Sequence, residues 1–238
     1  IRKIKIKIKM KMSSPIIIPL DTSYEQSISL ARSFTPDLCR LKVGNQLFTS
    51  SGPRVIDELC ALGYEVFLDL KFHDIPNTVF EAVKSVADLE VWMTNIHISG
   101  GSNMLDSAKR ALDSYKNPPL LIGVTMLTSL SHEDVKELGI NDLSTNIINL
   151  AQLAKDHDLD GVVCSAQEVS EIKRLFGNDF ITVTPGIRPV STEDDQTRVS
   201  TPQEAIKNGS DYLVIGRPIT ASKNPLESLE KILRDINL

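Results

Sequence analysis

The sequence predicts an α/β protein with a (β/α)8 (TIM) barrel, folded as a single domain. From Pro15 onward, eight short β-rich runs alternate with helical patterns. The runs are almost continuously apolar, which a parallel strand covered by helices on both faces requires. An open doubly wound sheet is the alternative, but a dinucleotide-binding sheet needs a Gly-x-Gly-x-x-Gly turn after its first strand, and none stands there. Neither an internal repeat beyond the βα unit nor a Pro- or Gly-rich linker divides the 238 residues.

Each unit has its own start and stop signals. Ile16 to Leu20 is the first strand, ended by Asp21. Ser23-Tyr24-Glu25-Gln26 has the spacing of a capping box, with Gln26 reaching back, and opens a helix toward Phe34. Arg40 to Val43 is the second strand; it carries Lys42, and Gly44 breaks it. A helix from about Pro53 to Leu62 follows, and Gly63 is its C′ stop. Val66 to Leu68 begins the third strand, and period 2 puts Asp69 and Lys71 on one face. Pro76 holds Ile75 out of the α region and ends that strand, so Asp74 lies beyond it, and Asn77 to Leu89 is the next helix.

Val91 to Ile98 is the fourth strand, and Ser99-Gly100-Gly101 turns it into a helix from Met104 to Leu112. Pro118-Pro119 introduces the fifth, Leu120 to Thr125. Two helical pieces come after it, Ser131 to Leu138 with a Ser-x-x-Asp start, and Ser144 to His157. Gly161 to Cys164 is the sixth strand, and its helix, Ala166 to Phe176, is closed by Gly177. Phe180 to Thr184 is the seventh, followed by a long polar connection through Arg198. Thr201-Pro202-Gln203-Glu204 joins an N-cap, a Pro at N1 and a capping-box Glu, and Gly209 ends that short helix. Tyr212 to Ile215 is the eighth strand, and Asn224-Pro225 opens the last helix.

Composition narrows the function classes. A hydrophobic content of 41% supplies a substantial core. Cys39, Cys60 and Cys164 are odd in number and lack paired short spacing, which argues against a disulfide framework and a thiolate zinc site and for a reducing cytoplasm. No apolar run has the length of a membrane span, and no signal-peptide core is present. Residues 1–12 alternate Ile or Met with Arg or Lys, an amphipathic strand pattern with nothing similar to pair with. An upstream translation artefact starting the true chain at Met12, an untethered tail, and a basic arm for nucleic acid or membrane are the three readings. The first two are favoured, because six positive charges without aromatics make a weak nucleic-acid signal. Residues 1–14 are expected to lie outside the barrel, which spans residues 15–238. Without those six, 20 basic residues face 31 acids, a formal charge near −11 in place of −5. Such a body is a poor partner for nucleic acid, so an anionic substrate needs a local basic cluster.

A barrel carries its chemistry just after the C-terminal ends of its strands. The polar residues there are Asp21, Lys42, Asp69 with Lys71, His97, Thr125 and Thr128, Ser165, Gly186 with Arg188, and Gly216 with Arg217, and they converge on one rim. Two stretches stand out. In Asp69-Leu70-Lys71-Phe72-His73-Asp74-Ile75-Pro76-Asn77-Thr78 an acid, a base and an acid arrive at one strand mouth. A lone Asp-x-Lys pair is commonly a solvated ion pair, but this run is longer. In Gly216-Arg217, after the eighth strand, Gly permits close backbone approach and Arg offers a planar fork matched to phosphate oxygens. Arg188 and Gln196 in the seventh connection reach the same corner. A surface Arg after a structural Gly is the bland alternative, and the agreement of two loops favours phosphate.

Asp-x-Lys-x-x-Asp followed by Ile-Pro-Asn-Thr resembles the motif of orotidine 5′-monophosphate decarboxylases, and further matches follow in order from Pro15 to the C-terminus. The resemblance implies decarboxylation of orotidine 5′-monophosphate to uridine 5′-monophosphate, the final step of pyrimidine nucleotide synthesis. It makes Lys71 the proton donor, Asp69 the carboxylate beside the substrate's own, and Asp21 and Lys42 the ribose contacts, Lys42 also flanking the charged array. It makes Asp74 and Thr78 residues contributed across a homodimer interface, and Thr128, in Val124-Thr125-Met126-Leu127-Thr128-Ser129, the pyrimidine contact. Arg188, Gln196, Gly216 and Arg217 match the phosphate end. No cofactor and no metal is implied, and the carboxylates are opposed by lysines where a metal site would cluster His, Asp and Glu. His73 and His97 read as structural or interfacial. Residues 1–12 match nothing in the family pattern. A metal-using sugar-phosphate lyase or aldolase barrel is the nearest competitor, with a phosphosugar isomerase or epimerase behind it. A non-catalytic nucleotide sensor is the reading from another class, and it has no use for alternating buried charges. The connection from Pro185 to Arg198 is too long for a simple βα loop and is expected to fold over bound phosphate.

Overall fold

The computed structural model describes residues 14–189 and 198–236, and the basic alternation of residues 1–12 lies outside them. The closed barrel is borne out: eight strands pair in sequence order, all in parallel, and the last pairs with the first. They are β1 (Ile16–Pro19), β2 (Arg40–Gly44), β3 (Val66–Phe72), β4 (Met93–His97), β5 (Leu120–Val124), β6 (Gly161–Val163), β7 (Ile181–Thr184) and β8 (Tyr212–Val214). The helices between and after them are α1 (Tyr24–Ser33), α2 (Asn45–Ser51), α3 (Arg54–Ala61), α4 (Pro76–Ala87), α5 (Ser102–Arg110), α6 (His132–Glu137), α7 (Leu143–Asp156), α8 (Val169–Phe176), α9 (Pro202–Lys207), α10 (Arg217–Thr220) and α11 (Pro225–Asp235). A closed ring leaves no unpaired strand edge.

Strand alternation sorts the apolar side chains into an inner and an outer core. Ile17, Phe67, Met93, Ile122, Val183 and Val214 meet inside the barrel. Residues of the opposite phase, such as Ile16, Ile18, Leu41 and Val43, pack outward beneath the helices. Each large side chain buried in this way contributes about 1.5–3 kcal/mol. At the N-terminal end the Arg40 guanidinium lies 4.4 Å from the centre of the Trp92 ring and 5.0 Å from that of Tyr212, and pairs with Glu65 at 2.7 Å. That stacked, paired cation closes the floor, and the opposite mouth carries the polar residues.

The start and stop signals largely act as read. Ser131 with Asp134 and Thr201 with Glu204 form complete capping boxes. Ser23 accepts from the Gln26 backbone N–H at 3.3 Å, but the Gln26 side chain pairs with Thr22 in place of reaching back, so only half of that box forms. Gly63, at φ +90, closes the turn after α3. Two helices are additions to the sequence reading. Gly44 ends β2 as expected, yet the chain turns at once into α2, with Gly44 as its N-cap and no capping side chain. The four-residue α10 follows β8 directly.

One irregularity falls where the acidic and basic residues gather. β3 and β4 pair Phe67 with Met93 and Leu68 with Thr94, and then Phe72 with Ile96. Asp69, Leu70 and Lys71 therefore face the single residue Asn95, and β3 bulges at the barrel mouth.

Candidate active site

Four charged side chains of alternating sign stand in a row at that mouth. Lys42, from β2, has its Nζ 3.1 Å from Oδ2 of Asp69 and 3.6 Å from Oδ1 of Asp21. Lys71 Nζ approaches the other Asp69 oxygen, Oδ1, at 2.7 Å. Asp69 is almost fully buried, and burial alone would raise its pKa. The ammonium groups of Lys42 and Lys71, with hydrogen bonds from Lys71 and Asn95, outweigh that and hold it at about 2. Burial likewise acts to lower the pKa of Lys42, and the two carboxylates it touches more than offset this, raising it above the usual lysine value. Both groups stay charged through the neutral range.

Asn95 is the member of this cluster that the sequence reading missed. Its Nδ2 donates to Asp69 Oδ1 at 2.7 Å, and its Oδ1 accepts from the Lys71 backbone N–H at 2.8 Å. Lys71 stands at φ +52, in the left-handed region that residues with a Cβ rarely adopt. A buried amide in the midst of Met93-Thr94-Asn95-Ile96-His97 was the available signal, because a strand interior tolerates such a group only when it is hydrogen-bonded.

The array forms one wall of a cavity of about 950 Å³. Asp21, Lys42, Asp69 and Lys71 line it together with Met126, Leu127 and Thr128 and with Gly186, Arg188, Gly216 and Arg217. Thr128 and Arg188 are buried. A Cβ on Gly216 would lie 3.1 Å from the Pro19 ring, so β8 and β1 approach closely there because this residue has no side chain. Residues 190–197, which include Gln196 and most of the connection read as a phosphate cover, lie outside the described residues. The base of that connection is pinned: Arg188 N–H donates to the Ser200 carbonyl at 2.9 Å, and Ser200 N–H to that of Gly186 at 3.2 Å. Arg198 pairs with Glu168 and donates to the Leu127 carbonyl at 3.3 Å, tying the seventh connection to the fifth.

Asp74 and Thr78 are not brought to this array. Both are exposed, Asp74 beyond the end of β3 and Thr78 in the first turn of α4, beside Ile75, which is 67% exposed. The rings of His73 and His97 lie 5.4 Å apart. Burial lowers the pKa of His97, and the neighbouring His73 and Lys71 lower it further. Among the described residues no group of three His, Cys, Asp or Glu side chains is placed to hold a metal ion, and no helix is long and apolar enough to cross a membrane.

A model of the orotidine 5′-phosphate decarboxylase / HUMPS family matches residues 14–232. The chain belongs to this family. A relative named orotidine 5′-phosphate decarboxylase from Saccharophagus degradans is 51% identical over 224 residues, 93% of this chain and 94% of that protein. One of the same name from Coxiella burnetii strain RSA 331 is 52% identical over 231 residues, 95% and 98% of the two chains. The crystal structure of orotidine 5′-phosphate decarboxylase from Lactobacillus acidophilus matches with a TM-score of 0.83 at 38% identity, covering 95% of this chain and all of that one. The resemblance carried by Asp69 to Thr78 is thus borne out at the level of the decarboxylase family.

Proposed function

We propose that this chain is a carboxy-lyase of the cytoplasm that converts orotidine 5′-monophosphate to uridine 5′-monophosphate, the last step of pyrimidine nucleotide synthesis, without metal or cofactor. The observation that carries the reading is Asp69, held ionised between Lys42 and Lys71 in the wall of a cavity of about 950 Å³ that Arg188 and Arg217 also line. The C6–carboxylate bond breaks, carbon dioxide leaves, and the electron pair stays on ring C6, which has no adjacent sink. A fixed ammonium beside that carbon stabilises the charge as it develops, and the Lys71 Nζ–H proton then moves to C6. Asp69 fixes Lys71 and repels the departing carboxylate. Asp21 and Lys42 hold the ribose hydroxyls, Thr128 the pyrimidine, and Arg188, Gln196, Gly216 and Arg217 the phosphate. The enzyme acts as a homodimer, each subunit giving Asp74 and Thr78 to the other's site, and their exposure away from their own cavity supports this arrangement.

The direct test is ultraviolet absorbance of orotidine 5′-monophosphate incubated with pure protein. Its absorbance is expected to fall, at a rate unchanged by prior dialysis against a strong chelator. A rate lost on dialysis and restored by magnesium would point instead to the sugar-phosphate lyase reading.

The phosphate end makes a second expectation. Binding energy from a remote group can stabilise the closed, organised state in which C6 reacts. Losing one charge-assisted bidentate contact costs about 2–3 kcal/mol, so Arg217→Ala is expected to lower kcat/KM about 30- to 150-fold. That loss and the loss on removing the phosphate from the substrate should not add, since removing the phosphate already deletes the Arg217 contact. An equal loss on the phosphate-free nucleoside would show that Arg217 acts on something else.

A further inference from the structure

Asn95 joins the bulge in β3 to the charged array through a single side chain. An amide presents an acceptor and a donor in one plane, and here both are used. Its Oδ1 accepts the Lys71 N–H, which the bulge has taken out of the strand ladder, and its Nδ2 reaches the same Asp69 oxygen that Lys71 Nζ touches. Only this orientation works: a flipped amide would set its oxygen against the carboxylate and its NH2 against the backbone N–H. The ladder resumes on either side, at Leu68 with Thr94 and Phe72 with Ile96, so Asn95 alone in β4 faces the displaced residues. Lys71, at φ +52, sits in a conformation that a residue with a Cβ rarely adopts and that persists only when its surroundings impose it. Asn95 itself is fully buried.

We propose that Asn95 is a positioning residue for decarboxylation, setting the Lys71 ammonium and the Asp69 carboxylate against each other and against the reacting carbon. It touches neither substrate nor product and acts through the two residues it holds. The inference rests on the decarboxylase reading. Displacing a catalytic group by about 1 Å costs about 10²-fold in rate. Asn95→Ala is therefore expected to lower kcat about 10²-fold. Affinity for uridine 5′-monophosphate, whose contacts at Asp21, Lys42, Thr128 and the arginines are not hydrogen-bond partners of Asn95, should stay within about threefold.

Asn95→Asp gives a sharper signal because it keeps the shape. Ionised, the new carboxylate faces Asp69 with charge against charge; protonated, it donates to Asp69 while its carbonyl accepts from Lys71 N–H, and both contacts return. The charged and titratable groups around it are Asp69 and Lys71 from β3, Lys42 from β2 with Asp21 beyond, and His97 from β4 with His73 against it. The parent enzyme shares all of these, so the ratio of variant to parent kcat isolates the new group. That ratio is expected to rise as pH falls, by up to about tenfold per pH unit above the pKa of the introduced carboxyl. A flat ratio would overturn the proposal. So would Asn95→Ala with kcat within about threefold of the parent, or with product affinity lost in step with kcat. If Asn95→Ala does not fold, the isosteric variant decides alone. Parent turnover measured alongside separates the two readings: an inactive parent removes the decarboxylase assignment, whereas an active parent with indifferent variants removes only the role of Asn95.

Discussion

Lys71→Ala is expected to lower kcat/KM for orotidine 5′-monophosphate by at least about 10⁴-fold and to leave the barrel folded. Two effects leave with the ammonium. A positioned general acid contributes about 10²–10⁴-fold, and a fixed charge at a developing anion about 10²–10³-fold, so the two lower limits together give the estimate. Folding should survive, because the Lys71 side chain is 29% exposed and Asp69 keeps Lys42 at 3.1 Å and Asn95 at 2.7 Å. Removing Asp69 is a different experiment. It leaves Lys42 and Lys71 without their shared acid, and breaking a buried pair from one side costs about 3–5 kcal/mol. Steady-state kinetics beside thermal unfolding separates the two cases. A loss of less than tenfold for a folded Lys71→Ala would mean that another group delivers the proton.

The barrel was legible because its evidence is local and repeated. Apolar runs, capping residues such as Ser131 and Thr201, and stops such as Gly63 recur along the chain, and eight strands leave little choice of parallel topology. What was not legible was marked weakly or not at all. α2 begins at Gly44 with no capping side chain and buries only Leu47, so nothing in Asn45–Ser51 announces a helix. α10 is a single turn whose one mark is Pro218 at its start. The charged array was readable up to its geometry. Alternation put Asp69 and Lys71 on one face, but a regular strand would not give Lys71 its left-handed backbone or set Asn95 opposite the bulge. Those depend on the register between β3 and β4, a long-range property that a run of residues does not encode. Asp74 and Thr78 are the converse case. Their place beyond the strand was read correctly, and the barrel leaves both exposed outside the array.

That placement leads to the last expectation, which concerns two inactive proteins. If each site draws Lys71 from one subunit and Asp74 from its partner, Lys71→Ala and Asp74→Ala variants are each expected to be inactive, and mixing them to restore activity. Free exchange of equal amounts makes half of the dimers hybrid. In each hybrid one site receives both substituted residues and the other receives Lys71 and Asp74 intact. One site in four is then complete, so the mixture should recover about a quarter of parental activity, a rise of at least about 10³-fold over Lys71→Ala alone. The physical basis is the position of Asp74: it is exposed, and one oxygen accepts the Ile75 backbone N–H at 2.6 Å, which directs the carboxylate from a short turn beyond β3. In the proposed homodimer it would complete the alternating row of charges of the neighbouring copy, with the exposed Ile75 beside it as apolar surface for the contact. Native mass spectrometry of differently tagged subunits would establish exchange. Proven exchange without recovered activity would place Asp74 in its own subunit's chemistry or outside the chemistry altogether.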